Sequence, residues 1–276
     1  PAAARGFLPV WDNEPGLERS ALFDTANAGK LSLALNMNRP EALEVMHDLI
    51  GWADVLCDSF SPGKMDSWGL SWEKVQGLNP RLIMLSTCLT GQSGPTANFA
   101  GYGNLGAALS GFYGLAGWPD RAPSGPFGAY TDYTSTHFML TTLLAALDKQ
   151  RRTGSGEYID LAQTEAALHF IAPAVLEASA TGRLATAIGN DDSDMSPHGG
   201  FACLGEDKWV AIAVEDDVQW TRLCRIIERP DLEADPEMSS VAGRRAAQTL
   251  IELAITEWTS TRPADLVMGL LVEAGI

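Results

Sequence analysis

Residues 129–167 read AYTDYTSTHFMLTTLLAALDKQRRTGSGEYIDLAQTEAA, a long helix followed closely by a strand. The apolar run Phe138, Met139, Leu140, Leu143, Leu144, Ala145, Ala146 and Leu147 carries the helix. Lys149, Arg151 and Arg152 follow near its C-terminal end, where the negative pole of the helix dipole favours cations, and Gly154 supplies a stop. At the other end Thr131, Asp132, Thr134 and Ser135 offer side-chain oxygens to the first unpaired backbone N–H groups. A carboxylate placed there is stabilised as the anion, and an ionised aspartate can attack a carbonyl carbon. Capping alone is the simpler role for Asp132, because short polar side chains ordinarily serve that purpose at a helix start. Beyond Gly154, Glu157–Leu161 reads as a short strand.

Working outward, strands and helices alternate. Upstream, Leu31–Met37 reads as a strand, Pro40–Trp52 as a helix, and Val55–Asp58 and Leu82–Thr87 as strands. This alternation predicts an α/β fold with an open, mainly parallel sheet and flanking helices, a Rossmann-like large domain. Ligands of such sheets gather at the carboxyl ends of the strands, which brings Leu35-Asn36-Met37-Asn38 towards Ser59-Phe60-Ser61-Pro62-Gly63. Downstream, Gln163–Ser179 reads as a second helix, and Thr181–Pro197, with Asp191, Asp192 and Asp194, as an exposed linker. Strands at Gly200–Leu204 and Lys208–Val214 and helices beginning near Asp216, Val241 and Pro263 predict a smaller α+β unit. The expected division is a large domain over 1–180, a linker over 181–198 and a small domain over 199–276.

Composition narrows the function. A chain of 276 residues with 46% hydrophobic content can bury a full core. A net charge of -16 argues against nucleic acid and against anionic membranes, both of which call for a basic face. No apolar run approaches a membrane span, and the opening PAAARGFLPVWDNEPG lacks the features of a signal peptide. Cys57, Cys88, Cys203 and Cys224 are widely separated, consistent with thiols in a reducing cytoplasm. With no Cys-x-x-Cys pair and no ligand spacing among His47, His137, His169 and His198, no metal is expected. Gly101-Tyr102-Gly103-Asn104-Leu105-Gly106 is a poor match to a dinucleotide fingerprint and follows a loop, so neither nicotinamide nor flavin is expected. Those glycines read instead as a turn entering a helix that packs closely.

The phrase LLAALDKQRRTGSGEYIDLAQTEAAL closely resembles the class III CoA-transferases, the family of formyl-CoA and carnitine CoA-transferases whose fold the α-methylacyl-CoA racemases share. The resemblance extends upstream over Gly29–Ser86, with its strand, helix, strand, Pro-Gly turn and Asn79-Pro80-Arg81-Leu82-Ile83, and downstream over Pro197–Ile227. It implies transfer of CoA from an acyl-CoA donor to a small carboxylic acid, with Asp132 forming an acyl anhydride and then an aspartyl-CoA thioester. It also implies that Gly199 and Gly200 form a loop closing over the intermediates; a hairpin turn is the simpler reading of paired glycines.

Leu35, Met37, Asn38, Ser59, Phe60, Ser61, Lys64 and Tyr102 fall at CoA-contact positions by the same resemblance. Asn38, Ser67 and Cys88 stand where relatives carry cations, which leaves Lys64 and Lys30 to meet phosphate charge. The racemases pair the aspartate with a histidine at the place of Tyr102. A tyrosine hydroxyl ordinarily titrates near about pH 10 and is poorly suited to two-base proton exchange, so CoA transfer is preferred to racemisation. A non-catalytic CoA-ester-binding partner subunit is the remaining alternative. The resemblance further implies an interlocked homodimer, with a heteromer as alternative, and places the family's N-terminal strand and helix and its C-terminal return outside this sequence.

Overall fold

The computed structural model describes residues 3–276. Its organising element is the strand β2, Ile83–Cys88, which lies between β1, Val55–Asp58, and β3, Tyr158–Ala162, all three parallel. Four successive residues of β2, Ile83 to Ser86, are buried, as expected of a strand covered on both faces. The expected strands at 55–58, 82–87 and 157–161 are therefore present with shifts of one residue at most.

The covering helices follow from local sequence. Helix α1 spans Ala21–Asn27, with Ser20 capping it by accepting from the Phe23 N–H. Helix α2 spans Pro40–Trp52, and Pro40 stands first, where a missing N–H costs nothing. The crossover from β1 to β2 carries α3, Lys64–Ser67, and α4, Trp72–Leu78. Ile50 of α2, Met65 of α3 and Val75 of α4 close with Leu70, Leu82 and Met84 into one buried cluster. Asn79, from the Asn-Pro-Arg phrase, donates its side-chain amide to the carbonyl oxygens of Ile50 and Ala53, at 2.9 and 3.0 Å, and ties off the end of α2.

After β2 come α5, Gly103–Leu109, α6, Phe112–Leu115, and the long α7, Tyr130–Thr153. Gly154 ends α7 at φ 77°, a conformation that favours glycine. Gln150, buried near that end, donates to the Arg81 carbonyl oxygen at 2.6 Å and holds α7 to the start of β2.

Two expectations are corrected in this half. Leu31–Met37 forms no strand, because no neighbouring chain pairs with it among the described residues; Leu31 is 101% exposed. The helix expected over Gln163–Ser179 is broken into α8, Gln163–Leu168, a turn over His169–Ile171, and α9, Ala172–Thr181. Pro173 is the cause: it has no N–H for the preceding turn, and its ring clashes with a continuous helix.

The rest of the chain is built on a hairpin of β4, His198–Ala202, and β5, Trp209–Ala213. Helices α10, Asp217–Ile226, α11, Pro230–Ala234, α12, Val241–Ala246, α13, Gln248–Thr259, and α14, Ala264–Glu273, follow. Val210, Ile212 and Val214 alternate along and beyond β5 and meet Leu223, Cys224, Ile251, Ile255 and Val267 in a second buried cluster. Gly199 and Gly200 are strand residues, paired with Ile212 and Ala211. They form neither the closing loop nor the hairpin turn, since both are engaged in the ladder with β5 and the connection falls later, near Gly205.

Candidate active site

The three parallel strands end in residues that shape one region at their carboxyl edge. Asp58, Ser86 and Asp160 stand side by side across β1, β2 and β3. The Ser86 hydroxyl donates to Asp58 at 2.6 Å, and the other Asp58 oxygen accepts from the Phe60 N–H at 3.1 Å, fixing the turn after β1. Both Asp160 oxygens accept from the Gln92 N–H, at 2.9 and 3.0 Å, and the Gln92 side chain donates to the Phe60 carbonyl oxygen at 3.2 Å. The loops that follow β1 and β2 are thus braced against one another.

Between those loops and the start of α7 lies a cavity of about 360 Å³. Ser59, Ser61 and Pro62 supply one part of its lining, Thr87, Cys88 and Leu89 another. The segment from Ala97 to Tyr102 completes it together with Asp132 and Gln163.

Asp132 does not cap its own helix. Ala129 is the N-cap of α7, with no side-chain cap, and Asp132 is the third helical residue. Its Oδ2 instead accepts from the Gly103 N–H at 3.1 Å, the first residue of α5. The carboxylate therefore stands where two helix N-termini meet, and both dipoles favour its negative charge. Oδ1 has no hydrogen-bond partner among the described residues, and Asp132 lines the cavity.

Glycine makes this meeting possible. A Cβ on Gly103 would stand 2.6 Å from the Asp132 backbone nitrogen, and one on Gly106 would collide with the Thr131 hydroxyl. The close packing expected of these glycines is what the helices display. The Thr131 hydroxyl, fully buried, lies 3.1 Å from both the Gly103 carbonyl oxygen and Gln163 Oε1 and shares its one proton between them, and so binds α5, α7 and α8 around the carboxylate. We expect Gly103→Ala to force α5 away from α7, destabilising the protein by about 1–3 kcal/mol and lowering activity about tenfold or more, as measured by urea denaturation and steady-state assay.

Of the sequence-derived candidates, Asp132, Ser59, Ser61 and Tyr102 line the cavity. Phe60 and Lys64 do not; both pack on Trp68, Phe60 edge-on at 5.1 Å and the Lys64 ammonium 4.5 Å over the ring. Leu35, Met37 and Asn38 lie outside the lining as well, with Met37 against the α2–α4 core and the Asn38 N–H donating to Asn36 Oδ1 at 3.1 Å. Lys30 is held at the end of α1 by the Ala26 carbonyl oxygen at 2.9 Å and Asn27 Oδ1 at 3.1 Å. Gly199 and Gly200 do not line the cavity, and His198 Nδ1 is held by the Asn190 carbonyl oxygen at 2.5 Å.

Thr87, Asn98 and Gln163 are cavity residues that sequence reading missed. The available signal was position: Thr87 lies at the end of β2, and Gln163 directly follows β3. Thr87 Oγ1 is buried with no hydrogen-bond partner among the described residues.

Cys88 reports on the cavity. Burial pushes its thiol up from the ordinary range, and the carboxylates of Asp160 and Asp58 add to this, while N–H groups of Thr90 and Gly91 act the other way. The reactive thiolate is thus scarce at neutral pH. We expect iodoacetamide to modify Cys88 slowly at pH 7 and faster as pH rises, and saturating acyl-CoA to protect it, as read by peptide mass spectrometry.

Among the described residues there is no group of three or more His, Cys, Asp or Glu placed to hold a metal ion, and no helix long and apolar enough to cross a membrane.

A carboxylate nucleophile candidate at the carboxyl edge of a parallel sheet, fed by two helix N-termini, sits in the architecture of the CaiB/BaiF proteins. One such protein from Brucella suis superposes with a TM-score of 0.83 at 26% identity, over 99% of this chain and 72% of that one. The chain belongs to CoA-transferase family III, whose pattern it matches over residues 3–276. It is 29% identical to the succinyl-CoA–D-citramalate CoA-transferase of Chloroflexus aurantiacus, over 90% of this chain and 61% of that protein. It is 32% identical to the alpha subunit of the succinyl-CoA–L-malate CoA-transferase from the same organism, over 88% of this chain and 56% of the relative. The chain therefore spans little more than half the length of these two relatives.

Proposed function

We propose that this protein transfers CoA from an acyl-CoA donor to a carboxylic acid through covalent intermediates on Asp132. The observation that carries this reading is the Asp132 carboxylate, bonded to the Gly103 N–H through Oδ2 in a residue that lines the cavity, in a member of a CoA-transferase family. Asp132 Oδ1 attacks the donor thioester carbon; the C–O bond forms, the C–S bond breaks, and CoA leaves as the thiolate. The thiolate then attacks Cγ of Asp132 and expels the donor carboxylate, leaving an aspartyl-CoA thioester. The acceptor carboxylate attacks Cγ, releases the thiolate and forms a second anhydride. Attack of the thiolate on the acceptor's carbonyl carbon yields the new acyl-CoA and frees Asp132. No electrons are gained or lost and no proton is consumed.

Two tetrahedral centres carry developing oxyanions in each half of the cycle. Gln163 and the backbone N–H groups of Asn98, Ala100, Gly101 and Tyr102, which meet no acceptor among the described residues, are the donors proposed for them. Division of one exchange into successive acyl transfers is the advantage of a covalent route.

CoA itself is the carrier, and no metal, nicotinamide or flavin enters this scheme. A reducing cytoplasm fits the four free cysteines. A homodimer is the assembly proposed, and the relative's designation as an alpha subunit makes a heteromer the alternative. The large unit of residues 1–180, the linker 181–198 and the unit 199–276 are read as the working division of the chain.

Trapping with hydroxylamine tests the reading. Incubation with acyl-CoA donors, including succinyl-CoA, is expected to leave a hydroxamate on Asp132, located by peptide mass spectrometry and absent from Asp132→Asn. An unmodified Asp132 with every donor, in protein that binds CoA, would leave racemisation or an accessory role.

A further inference from the structure

We infer that Thr131 is a positioning residue of CoA transfer, holding Gly103 and Gln163 in place around the Asp132 carboxylate; this rests on Asp132 acting as the nucleophile. Thr131 is no part of the cavity lining and is 0% exposed, so it touches no substrate. Its hydroxyl lies 3.1 Å from the Gly103 carbonyl oxygen and 3.1 Å from Gln163 Oε1. Asp132 and Gln163 both line the cavity, and the Gly103 N–H is the donor that meets Asp132 Oδ2. Adjacent residues of α7 thus hold both backbone groups of one residue of α5, Asp132 taking the N–H and Thr131 the carbonyl. One hydrogen bond alone would leave Gly103 able to pivot about it. The second contact removes that freedom, and the same hydroxyl ties in a wall residue from α8.

Ordinary helix chemistry does not account for this use of a threonine. Elsewhere in α7 the hydroxyls of Thr134, Thr136, Thr141 and Thr153 donate back to carbonyl oxygens of their own helix. The Thr131 hydroxyl is spent on two other helices, and a glycine makes the space for it, since a Cβ on Gly106 would collide with it. Joining those helices does not of itself need Thr131. The Ser110 hydroxyl makes a like tie between α5 and α8, 2.8 Å from the Gly106 carbonyl oxygen and 3.0 Å from that of Thr164, at a place outside the cavity lining. What Thr131 adds is placement at the nucleophile. Asp132 must attack an acyl carbon and later be attacked at Cγ in the same bound geometry, and a misplacement of about 1 Å costs on the order of a hundredfold in rate.

The rate constant for loading Asp132 separates this role from a structural one. Full-length protein is mixed with a saturating acyl-CoA that loads the parent in the hydroxylamine assay, succinyl-CoA being the first tried, then quenched at short times and read by peptide mass spectrometry. Partial unfolding lowers the amplitude and leaves the rate constant of the competent molecules unchanged. Thr131→Ala lacks the hydroxyl and adds no bulk against Gly106. It is expected to lower the rate constant by about tenfold or more, with CoA affinity within about threefold of the parent. Thr131→Val carries the same expectation where Thr131→Ala is too unstable to assay. Thr131→Ser keeps the hydroxyl and is expected to stay within about threefold of the parent in both measures. Ser110→Ala removes the other tie and is expected to lower stability to urea while leaving the rate constant within about threefold. A parental rate constant in the hydroxyl-free variants would overturn the inference and leave the transferase reading intact, as would a loss in Thr131→Ser or Ser110→Ala as deep as in Thr131→Ala. Failure of every donor to load the parent would bring down both.

Discussion

Asp132→Asn is expected to reduce CoA transfer by at least about a thousandfold while leaving the fold and the affinity for CoA within a few-fold of the parent. The amide is nearly the same size as the carboxylate, and its oxygen can still accept from the Gly103 N–H that now meets Oδ2. Packing of α5 on α7 is therefore retained. What the variant loses is nucleophilicity, since an amide oxygen attacks a thioester poorly and cannot return as a carboxylate leaving group in the reverse steps. Asp132→Ala would be less informative, because it also deletes the acceptor for Gly103 and loosens the junction of the two helices. Steady-state rates of both variants, set beside equilibrium binding of CoA, separate the chemical role from the structural one. Binding lost together with rate in Asp132→Asn would mark Asp132 as a structural cap for α5 and count against its role as nucleophile.

The same residue shows what the linear sequence carries. An aspartate beside an apolar run and ahead of Lys149, Arg151 and Arg152 located both ends of α7, because helix periodicity and dipole preference are local properties. The reading of Asp132 as a cap had the right physics and the wrong helix: its partner is Gly103, twenty-nine residues away, and no local rule reaches that far. Ser59 and Ser61 were legible because a turn after a parallel strand must lie at the ligand edge of the sheet. Thr87 and Gln163 obey the same rule, but a small polar residue next to a strand has many structural uses.

The misses have a common cause in long-range contact. Leu31–Met37 has strand composition, yet a strand exists only through its neighbour, and none of the described residues supplies one. Gly199 and Gly200 have the composition of a turn and are held as strand by β5. Lys64 and Lys30 carry the charge suited to phosphate and lie outside the cavity lining, Lys64 over the Trp68 ring and Lys30 at the end of α1. Charge can be counted in a sequence, whereas the direction in which a side chain is spent is a tertiary property.

Arg244 is the largest case of that kind, and its replacement is expected to have the largest effect on stability. It sits in α12 among Arg, Ala and Gly residues that suggest a solvent-exposed turn of helix. Instead its side chain is 0% exposed. Nε donates to the Ser196 carbonyl oxygen at 2.8 Å, and one terminal nitrogen donates to the Met238 carbonyl oxygen at 3.1 Å and to Asp217 at 2.8 Å. The guanidinium also lies 5.5 Å from the centre of the Trp220 ring. One cation thus joins the segment before β4, the turn before α12 and the first turn of α10.

Its other terminal nitrogen is buried without a partner among the described residues, so the site already bears a desolvation cost. Removing the side chain leaves two carbonyl oxygens unsatisfied, at roughly 1–3 kcal/mol each, and in Arg244→Ala a cavity as well. We expect Arg244→Ala to lose about 4–5 kcal/mol and Arg244→Met, which fills the space, about 3 kcal/mol, in chemical denaturation followed through Trp220 and Trp258. Asp217 is different, because its side chain is 67% exposed and water can solvate it when the partner is absent. Asp217→Asn should therefore cost only about 1 kcal/mol. Equal losses in Asp217→Asn and Arg244→Met would show that the ion pair holds this junction. The expected inequality assigns that role to the two carbonyl contacts, in which a side chain that composition reads as surface charge replaces backbone partners missing between segments almost fifty residues apart.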